Sequence, residues 1–462
     1  MPDNGLPSAT VPSLAKELRA RFGEELVLDG VPAAYLSDAT EARGLRGRAD
    51  AVVLPRTSAE VAEVVAWCYQ HDAAITPRGG GTGFAGGAVP LGGVVLGLER
   101  LRSVRSIDPL LWRMEVEAGV TTADVRRLAR ENGLLFPPDP GAAEQSQIGG
   151  NVATNAGGPH AFKYGVTGDW VTGVEAVVAP GELVAVGGAI RKDVAGYDLK
   201  SLLVGSEGTL GIVTSVWLNL APAPEAVAPV VSLHTDTAEG CEALARVLGS
   251  GLPVAALEYL DAETVRRAAD SFPVPLGAGF LVLAEVDGSA EEVTRLREAV
   301  LEAVGEDALS VWAPETAAEI AALWRWRDGV SIAVQVERGG KVSEDIVVPF
   351  DRLAEAIEET LAIGARHGLA TCSWGHAGDG NLHSTFMIDP ADEPERVRAE
   401  AAAEELFDLA VRLGGSISGE HGLGLVKGGQ LERQWSPAAF ALHRSIKSAF
   451  DPKGLLNPGK KR

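Results

Sequence analysis

The chain has 462 residues, 46% of them hydrophobic and 23% charged, and carries a net charge of −22 at pH 7. That length asks for more than one core, two or three domains in all. The acidic surface excludes nucleic acid as the main partner and an anionic membrane face as a docking surface, because both would repel it; a small anionic substrate is compatible only with a locally basic site.

Residues 12–22 read as an amphipathic helix with Leu14, Leu18 and Phe22 on one face. A short apolar strand at Ala51–Leu54 is followed by Thr57 or Ser58, either of which suits the cap of a helix running to about Gln70. Strands are expected at Ala74–Pro77, Val94–Leu98 and Arg113–Ala118, and Thr122 is placed to cap a helix closed by Gly133. Phe136–Pro159 is rich in Pro, Gly, Asn, Ser and Gln and reads as loop. Strands return at Val171–Val178, Leu183–Val186 and Leu210–Leu218, and Ala221–Pro224 reads as a domain boundary. Beyond it strands at Val230–His234, Phe280–Val286, Asp345–Val348, Leu369–Trp374 and Leu382–Ile388 alternate with helices over 237–249, 289–303, 351–367 and 393–413. That pattern is α+β with an antiparallel sheet. A last helix covers Pro437–Phe450.

No run reaches the ~18 apolar residues of a membrane-spanning helix. Met1–Gly30 lacks a basic stretch leading into an apolar one, so no signal peptide is expected. Cys68, Cys241 and Cys372 are too scattered for a disulfide framework or an iron–sulfur site. The expectation is a reduced, cytoplasmic protein.

The 55 glycines are about 12% of the chain against a usual ~7%, and many fall in three loops. The first is Arg78–Gly87. Within it Gly81–Gly86 satisfies the G-x-G-x-x-G dinucleotide pattern, but Gly87, Pro90, Gly92 and Gly93 follow where that pattern needs a helix. Successive backbone N–H groups can still form an anion-binding nest there. The second loop, Ser146–Gly158, mixes small residues with Asn, Thr and Ser, which suits a large planar or phosphorylated ligand. The third, Gly205–Ile212, leads into an apolar strand, and a Walker lysine accompanies none of the three.

Two further glycine-rich stretches, Gly375–His383 and Ser418–Gly422, gather three of the eight histidines and a glutamate. His376 and His383 are seven apart, which on one straight strand would set them on opposite faces. The intervening Ala377–Gly380 reads as a turn that lets them converge. With Glu420 they make two imidazoles and a carboxylate, a donor set suited to Zn²⁺, Mn²⁺ or Fe²⁺. Asp379 and Asn381 read as turn formers or as supports behind the ligands.

Arg78–Gly87, Gln145–Gly158, Gly205–Ile212, Gly375–His383, Ser418–Gly424 and Pro452–Gly459 stand in an order that resembles the FAD-linked oxidase family, over about residues 45–460. The likeness is strongest to the branch holding glycolate oxidase catalytic subunits and the D-lactate and D-2-hydroxyglutarate dehydrogenases. The resemblance implies an α+β protein with a two-lobed FAD-binding domain of the vanillyl-alcohol-oxidase type over 1–222. It further implies an α+β cap domain with an antiparallel sheet over 223–413 and a C-terminal helical segment over 414–462 that returns to the FAD domain. By position, Arg78, Gly79, Gly80, Gly81, Thr82 and Gly83 would cradle the pyrophosphate of FAD. Ser146, Gly149, Asn151, Thr154 and Gly158 would flank the cofactor, with Ile212 near its adenosine end and Asn457 near the flavin. Covalent relatives place a histidine in the first loop; Phe84 follows Thr82-Gly83 here and His160 lies just past the second loop, so non-covalent FAD is expected.

The same resemblance implies that His376, His383 and Glu420 hold a divalent metal, that His421 is the base, and that Arg327 grips a substrate carboxylate from a segment preceding a helix. Ser331 stands one turn on, where relatives carry a threonine. The lysine that relatives place before the next strand is out of register at Lys341, which favours a small 2-hydroxy acid such as glycolate or D-lactate over a long dicarboxylate. Tyr164 and Trp374 are candidates for the pocket wall. The expected activity is FAD-dependent oxidation of such an acid to the 2-keto acid. The alternatives are a flavin oxidase of another alcohol in secondary metabolism and a flavoprotein subunit of an electron-transfer complex. The electron acceptor or partner subunit is left open, and the acidic surface is compatible with a homodimer.

Overall fold

The computed structural model describes residues 11–462, with side chains from residue 14 onward except at 41. Three main sheets organise it. A parallel three-stranded sheet has the order Ala51–Val53, Val94–Gly97, Ile75–Arg78. Helix Ser58–Gln70 crosses over between its first two strands in sequence. Thr57 caps that helix, its hydroxyl accepting from the Glu60 N–H at 3.1 Å, and Val61, Val64, Val65 and Cys68 are its buried stripe. Helix Val11–Phe22 packs Leu18 into the same core.

An antiparallel five-stranded sheet follows, ordered Val104–Asp108, Arg113–Glu117, Ile212–Asn219, Val171–Val178, Glu182–Gly187. The strand Val104–Asp108 escapes a reading by apolar run because VRSID buries none of its residues fully. Two other local readings are corrected here. Thr121, not Thr122, caps helix Thr122–Glu131, accepting from the Asp124 N–H; Thr122 turns inward to Ser146 instead. The stretch read as loop contains a seven-residue helix, Ile148–Thr154, ended by Asn155 in the left-handed conformation.

The third sheet is antiparallel and seven-stranded, ordered Ser310–Trp312, Ala226–His234, Phe280–Gly288, Ala256–Leu260, Ala370–His376, Asn381–Ile388, Gly340–Val347. Side chains alternate between its faces. Leu257, Tyr259, Leu382 and Phe386 point to one core, shared with Leu406 and Phe407 of helix Glu393–Arg412. Leu260, Leu283, Trp374 and Met387 point to the other, shared with Leu323, Trp326 and Val330 of helix Ala317–Val336. Trp324–Arg327 thus lies inside that helix rather than ahead of it, a correction that follows from the capping box Thr316/Glu319 upstream. In the second core, one end of the sheet carries polar side chains in place of apolar ones, and these build the candidate site.

The hairpin joining Ala370–His376 to Asn381–Ile388 depends on Gly380. Its φ of +65° is left-handed and a Cβ there would stand 2.0 Å from the Val348 carbonyl oxygen. Gly380→Ala is therefore expected to destabilise the protein by ~2 kcal/mol or more. Gly249→Ala, in a helix with open space around the site, is expected to be neutral or mildly stabilising; equal denaturation midpoints for the two variants would contradict the hairpin's dependence on that turn.

Candidate functional site

His376 ends one strand and His383 lies on the next; the register pairs His376 with Asn381 and Trp374 with His383. Across the turn Ala377–Gly380 both imidazoles therefore emerge on the face toward helix Ala317–Val336. The loop 418–421 closes over them. His376, His383 and Glu420 each offer a ligand atom within 4.8 Å of the others: Glu420 Oε1 lies 3.5 Å from His376 Nε2 and 3.5 Å from His383 Nε2. His421 Nε2 is 3.8 Å from the same oxygen, and its ring stacks on His383 with centroids 5.3 Å apart. Phe84, from the first glycine loop, covers the His421 ring at 4.9 Å. The structure thus brings the three histidines and Glu420 into one cup, closed by a residue of that loop.

Two buried carboxylates support the cup, and neither stands out in the sequence. Asp345 is fully buried and pairs across the sheet with His383. Its Oδ2 accepts from the backbone N–H groups of Gly419, Glu420 and His421 at 2.8, 2.6 and 2.9 Å. Buried Lys427 donates to Oδ1, and His421 Nδ1 lies 3.5 Å from it. Burial works against ionisation of Asp345, but Lys427, His421 and the donated hydrogen bonds prevail and depress its pKa. Glu258, also fully buried, sits directly opposite His376 on the neighbouring strand. It accepts from His376 Nδ1 at 2.6 Å and from Arg327 Nε at 2.8 Å. A buried acid inside Ala256–Leu260, otherwise apolar, gives a sequence reading nothing to distinguish it from a solvent-facing one. Its signal is the cross-strand register with His376.

Charge in the cup is polarised. Burial lowers the pKa of His376, yet Glu258 and Glu420 override it and push it up to about 10. Burial and the neighbouring positive charges bring His383 down to about 3. Glu420 is held at about 2, because the surrounding histidines outweigh its burial.

Lys341 is the second residue of strand Gly340–Val347 and its ammonium donates to the Ser331 carbonyl at 2.7 Å and to the Ser331 hydroxyl. It is therefore in reach of the helix turn after Arg327, which corrects the out-of-register reading. It also lies over Trp374, which neighbours His383. Burial drops its pKa to about 8. The Tyr164 hydroxyl donates to Asp287 instead of facing this wall.

The glycine loops meet behind the cup. A Cβ on Gly80 would stand 2.0 Å from the Gln145 carbonyl oxygen and 3.2 Å from the Ser146 Cα, so the two loops touch backbone to backbone, while Gly149 packs as tightly on Ala118 at the end of the neighbouring strand. The Arg78 guanidinium folds under the first loop, donating to the Ser37 carbonyl and covering Tyr35. It braces Gly81, and among the described residues no backbone acceptor takes the N–H groups of Gly80, Gly81, Thr82 or Gly83. Asn151 and Ser146 are tied through the Thr122 hydroxyl, Thr154 bonds back to Gly150, and Gly158 (φ +141°) packs against Asp139. Asn457 donates to the carbonyls of Gly87 and Glu207. Ile212 is buried against core residues of the parallel sheet; in its segment it is Gly205, Ser206, Thr209 and Leu210 that line the adjacent cleft. That cleft, about 740 Å³, runs from Thr154 past Asn457 and Lys460 to Glu420. Five buried polar atoms around these loops, Thr76 Oγ1, Gln147 Oε1, Ser206 Oγ, Asn457 Oδ1 and Lys460 Nζ, have no hydrogen-bond partner among the described residues. Buried polar groups are rarely left so, and donor-rich loops beside a cleft of cofactor size fit an anionic, hydrogen-bonding ligand such as FAD.

Residues 49–187 match the FAD binding domain family and residues 223–461 match the FAD linked oxidases, C-terminal domain. The chain is similar to the glycolate oxidase subunit GlcD of Bacillus subtilis, 38% identical over 416 residues covering 89% of this chain and 88% of the relative. It is 34% identical to a D-lactate dehydrogenase of Anaerostipes hadrus over 430 residues, covering 90% of each. Among solved structures, p-cresol methylhydroxylase with substrate bound superposes with a TM-score of 0.80 at 19% identity, covering 99% of this chain and 97% of that one. Alkyldihydroxyacetonephosphate synthase does so with a TM-score of 0.76 at 19% identity, covering 98% and 85%. These place the fold in the vanillyl-alcohol-oxidase type. No helix among the described residues is long and apolar enough to cross a membrane.

Asp345→Asn removes the charge that pairs with buried Lys427 and weakens the hold on three N–H groups. The expected loss is ~3–5 kcal/mol, read by chemical denaturation. Because the folded-state pKa of Asp345 is depressed, its stabilisation is present above the ordinary carboxylate pKa of ~3.9 and is lost as the pH falls below it. The variant should therefore show a shallower acid loss than the parent, and identical acid profiles would contradict the assignment.

Proposed function

Because the chain belongs to the FAD-linked oxidases and is an FAD-dependent oxidoreductase, we propose that it oxidises a small D-2-hydroxy acid of the glycolate or D-lactate type to the 2-keto acid. The observation that carries the reading is the cup itself: three donor side chains converge within 4.8 Å, His421 stands against the same carboxylate, and Arg327 shares Glu258 with His376. The relatives named for glycolate and D-lactate support the substrate class.

In this reading Arg78 and Gly79–Gly83 hold the pyrophosphate and Ser146, Gly149, Asn151, Thr154, Gly158 and Asn457 the rest of FAD, which supplies the hydride acceptor when bound. The absence of a histidine from the first loop supports non-covalent attachment. So does His160, whose two ring nitrogens are taken by Asp139 at 2.5 Å and Glu285 at 2.8 Å. Arg327 binds the substrate carboxylate with the guanidinium edge that Glu258 leaves free. His376, His383 and Glu420 would hold a divalent ion of the Zn²⁺, Mn²⁺ or Fe²⁺ kind, supplying a Lewis acid at the substrate hydroxyl. His421 takes the hydroxyl proton at Nε2 while its Nδ1 side faces Asp345, and the Cα hydrogen leaves as hydride with both electrons. Phe84, tilted over His421 at 4.9 Å, gives the imidazole an apolar neighbour on the side of the first glycine loop. A separate molecule or subunit accepts the electrons onward.

Anaerobic addition of glycolate, D-lactate, L-lactate or D-2-hydroxyglutarate to the FAD-loaded protein tests the reading. Bleaching of the visible flavin band by glycolate or D-lactate is expected, whereas a yellow protein bleached by none of them, or by D-2-hydroxyglutarate alone, would contradict it. His421→Ala should keep the flavin spectrum and slow bleaching by ~10²–10⁴-fold.

Metal uptake has a separate signature. His376 is raised to about 10, so at neutral pH it must give up a proton to become a ligand, and affinity for Mn²⁺ should climb with pH throughout the neutral range. His383→Ala should abolish that uptake. Uptake independent of pH, or unchanged in the variant, would remove these residues from the ligand set.

A further inference from the structure

Among the described residues, Glu258 is the one side chain hydrogen-bonded both to a histidine of the cup and to Arg327. It is fully buried, and its two oxygens divide between two partners on two different elements: Oε1 with His376 Nδ1 at 2.6 Å, on strand Ala370–His376, and Oε2 with Arg327 Nε at 2.8 Å, on helix Ala317–Val336. The Arg327 NH2 nitrogen lies 2.5 Å from the same Oε2. We propose that Glu258 is a positioning residue that couples metal binding to substrate-anion binding, by fixing His376 as a ligand through Nε2 and Arg327 as a clamp through its remaining guanidinium edge. The inference rests on the proposed function and adds to it the residue that sets the spacing of its two halves.

Geometry gives the carboxylate a role no neutral side chain can fill. Both partners present donors to it, Nδ1–H from one side and Nε–H from the other, so both oxygens must accept. An imidazole whose Nδ1–H is held this way points its Nε2 lone pair outward, and Nε2 is the nitrogen that faces Glu420 at 3.5 Å. The cross-strand register sets Glu258 directly opposite His376, which fixes the ring's depth. Arg327 lies in the buried stripe of its helix with Leu323, Trp326 and Val330. The bond to Glu258 is its only side-chain hydrogen bond among the described residues, and its NH2 is otherwise without an acceptor. A hydroxy acid bridging the two halves, hydroxyl at the metal and carboxylate at Arg327, would meet a distance that Glu258 holds constant.

Glu258→Gln separates this role from packing, because it keeps the volume but offers one acceptor and one donor. It can serve His376 or Arg327, not both. Mn²⁺ affinity, measured by competition with a chelator on the FAD-loaded protein, is expected to fall about 10–100-fold. KM for the hydroxy acid is expected to rise, with the flavin spectrum and FAD content unchanged. Arg327→Met should raise KM alone and leave Mn²⁺ affinity at the parent value. Glu258→Asp, which keeps the charge but withdraws it from both partners, should move both readouts in the same direction and serves if the glutamine variant does not fold. Parent-like Mn²⁺ affinity and KM in either Glu258 variant would overturn the proposal. So would an Arg327→Met protein that loses Mn²⁺ as much as Glu258→Gln, since charge balance rather than the bond to His376 would then hold the ion. A parent that takes up no Mn²⁺ would overturn it together with the metal half of the proposed function. A parent that binds Mn²⁺ but is bleached by no hydroxy acid would sink the substrate reading, while the Mn²⁺ affinities would still decide whether Glu258 orients His376; parent-like affinity in the glutamine variant would overturn that.

Discussion

The loop 418–421 holds its shape because one buried carboxylate accepts three successive backbone N–H groups. Asp345 could not be buried without such partners; an isolated ion in a protein interior costs several kcal/mol, and three amides, a serine hydroxyl and Lys427 offset that cost. The consequence reaches beyond stability. Glu420 and His421 are carried on the backbone that Asp345 grips, and Asp345 pairs in register with His383. The sheet and the loop are therefore aligned by one side chain.

A second constraint acts from the opposite side. The two glycine loops approach so closely that a methyl group at Gly80 would collide with the backbone of Gln145 and Ser146. Their contact forms the floor against which a planar, phosphorylated ligand can lie. Asn457 ties the terminal segment to Gly87 and Glu207, while Glu207 accepts from the N–H groups of Leu423 and Gly424 just after the histidine loop. His160 and Lys163, near the second loop, reach Glu285 and Asp287 on the seven-stranded sheet. The glycine-loop side and the histidine side of the molecule are thus bound together by buried or half-buried polar contacts.

Much of this was legible in the sequence where a residue type is chemically rare or a turn demands glycine. His376, His383, Glu420 and His421 stand out for both reasons, and the helices with clear caps, such as Ser58–Gln70 and Pro437–Phe450, follow from local rules. The supporting acids were not legible. Glu258 lies in an apolar strand and its partner is 118 residues away, so nothing local marks it. Lys341 was misplaced because its reach depends on where the strand begins and which face it presents, and the short helix Ile148–Thr154 was missed because its glycines and asparagine read as loop. Tertiary placement decided each of these, and pattern alone has no access to it.

The proposed reaction breaks the Cα–H bond of a D-2-hydroxy acid as hydride on this site. The most direct test is stopped-flow bleaching of the bound flavin by D-lactate and by D-lactate deuterated at C2, under anaerobic conditions. Hydride transfer from Cα makes the deuterated acid bleach the flavin more slowly, by a primary isotope effect, and D-specificity leaves the flavin unbleached by L-lactate. Equal rates for the two isotopologues at saturating acid, or bleaching by neither, would contradict it.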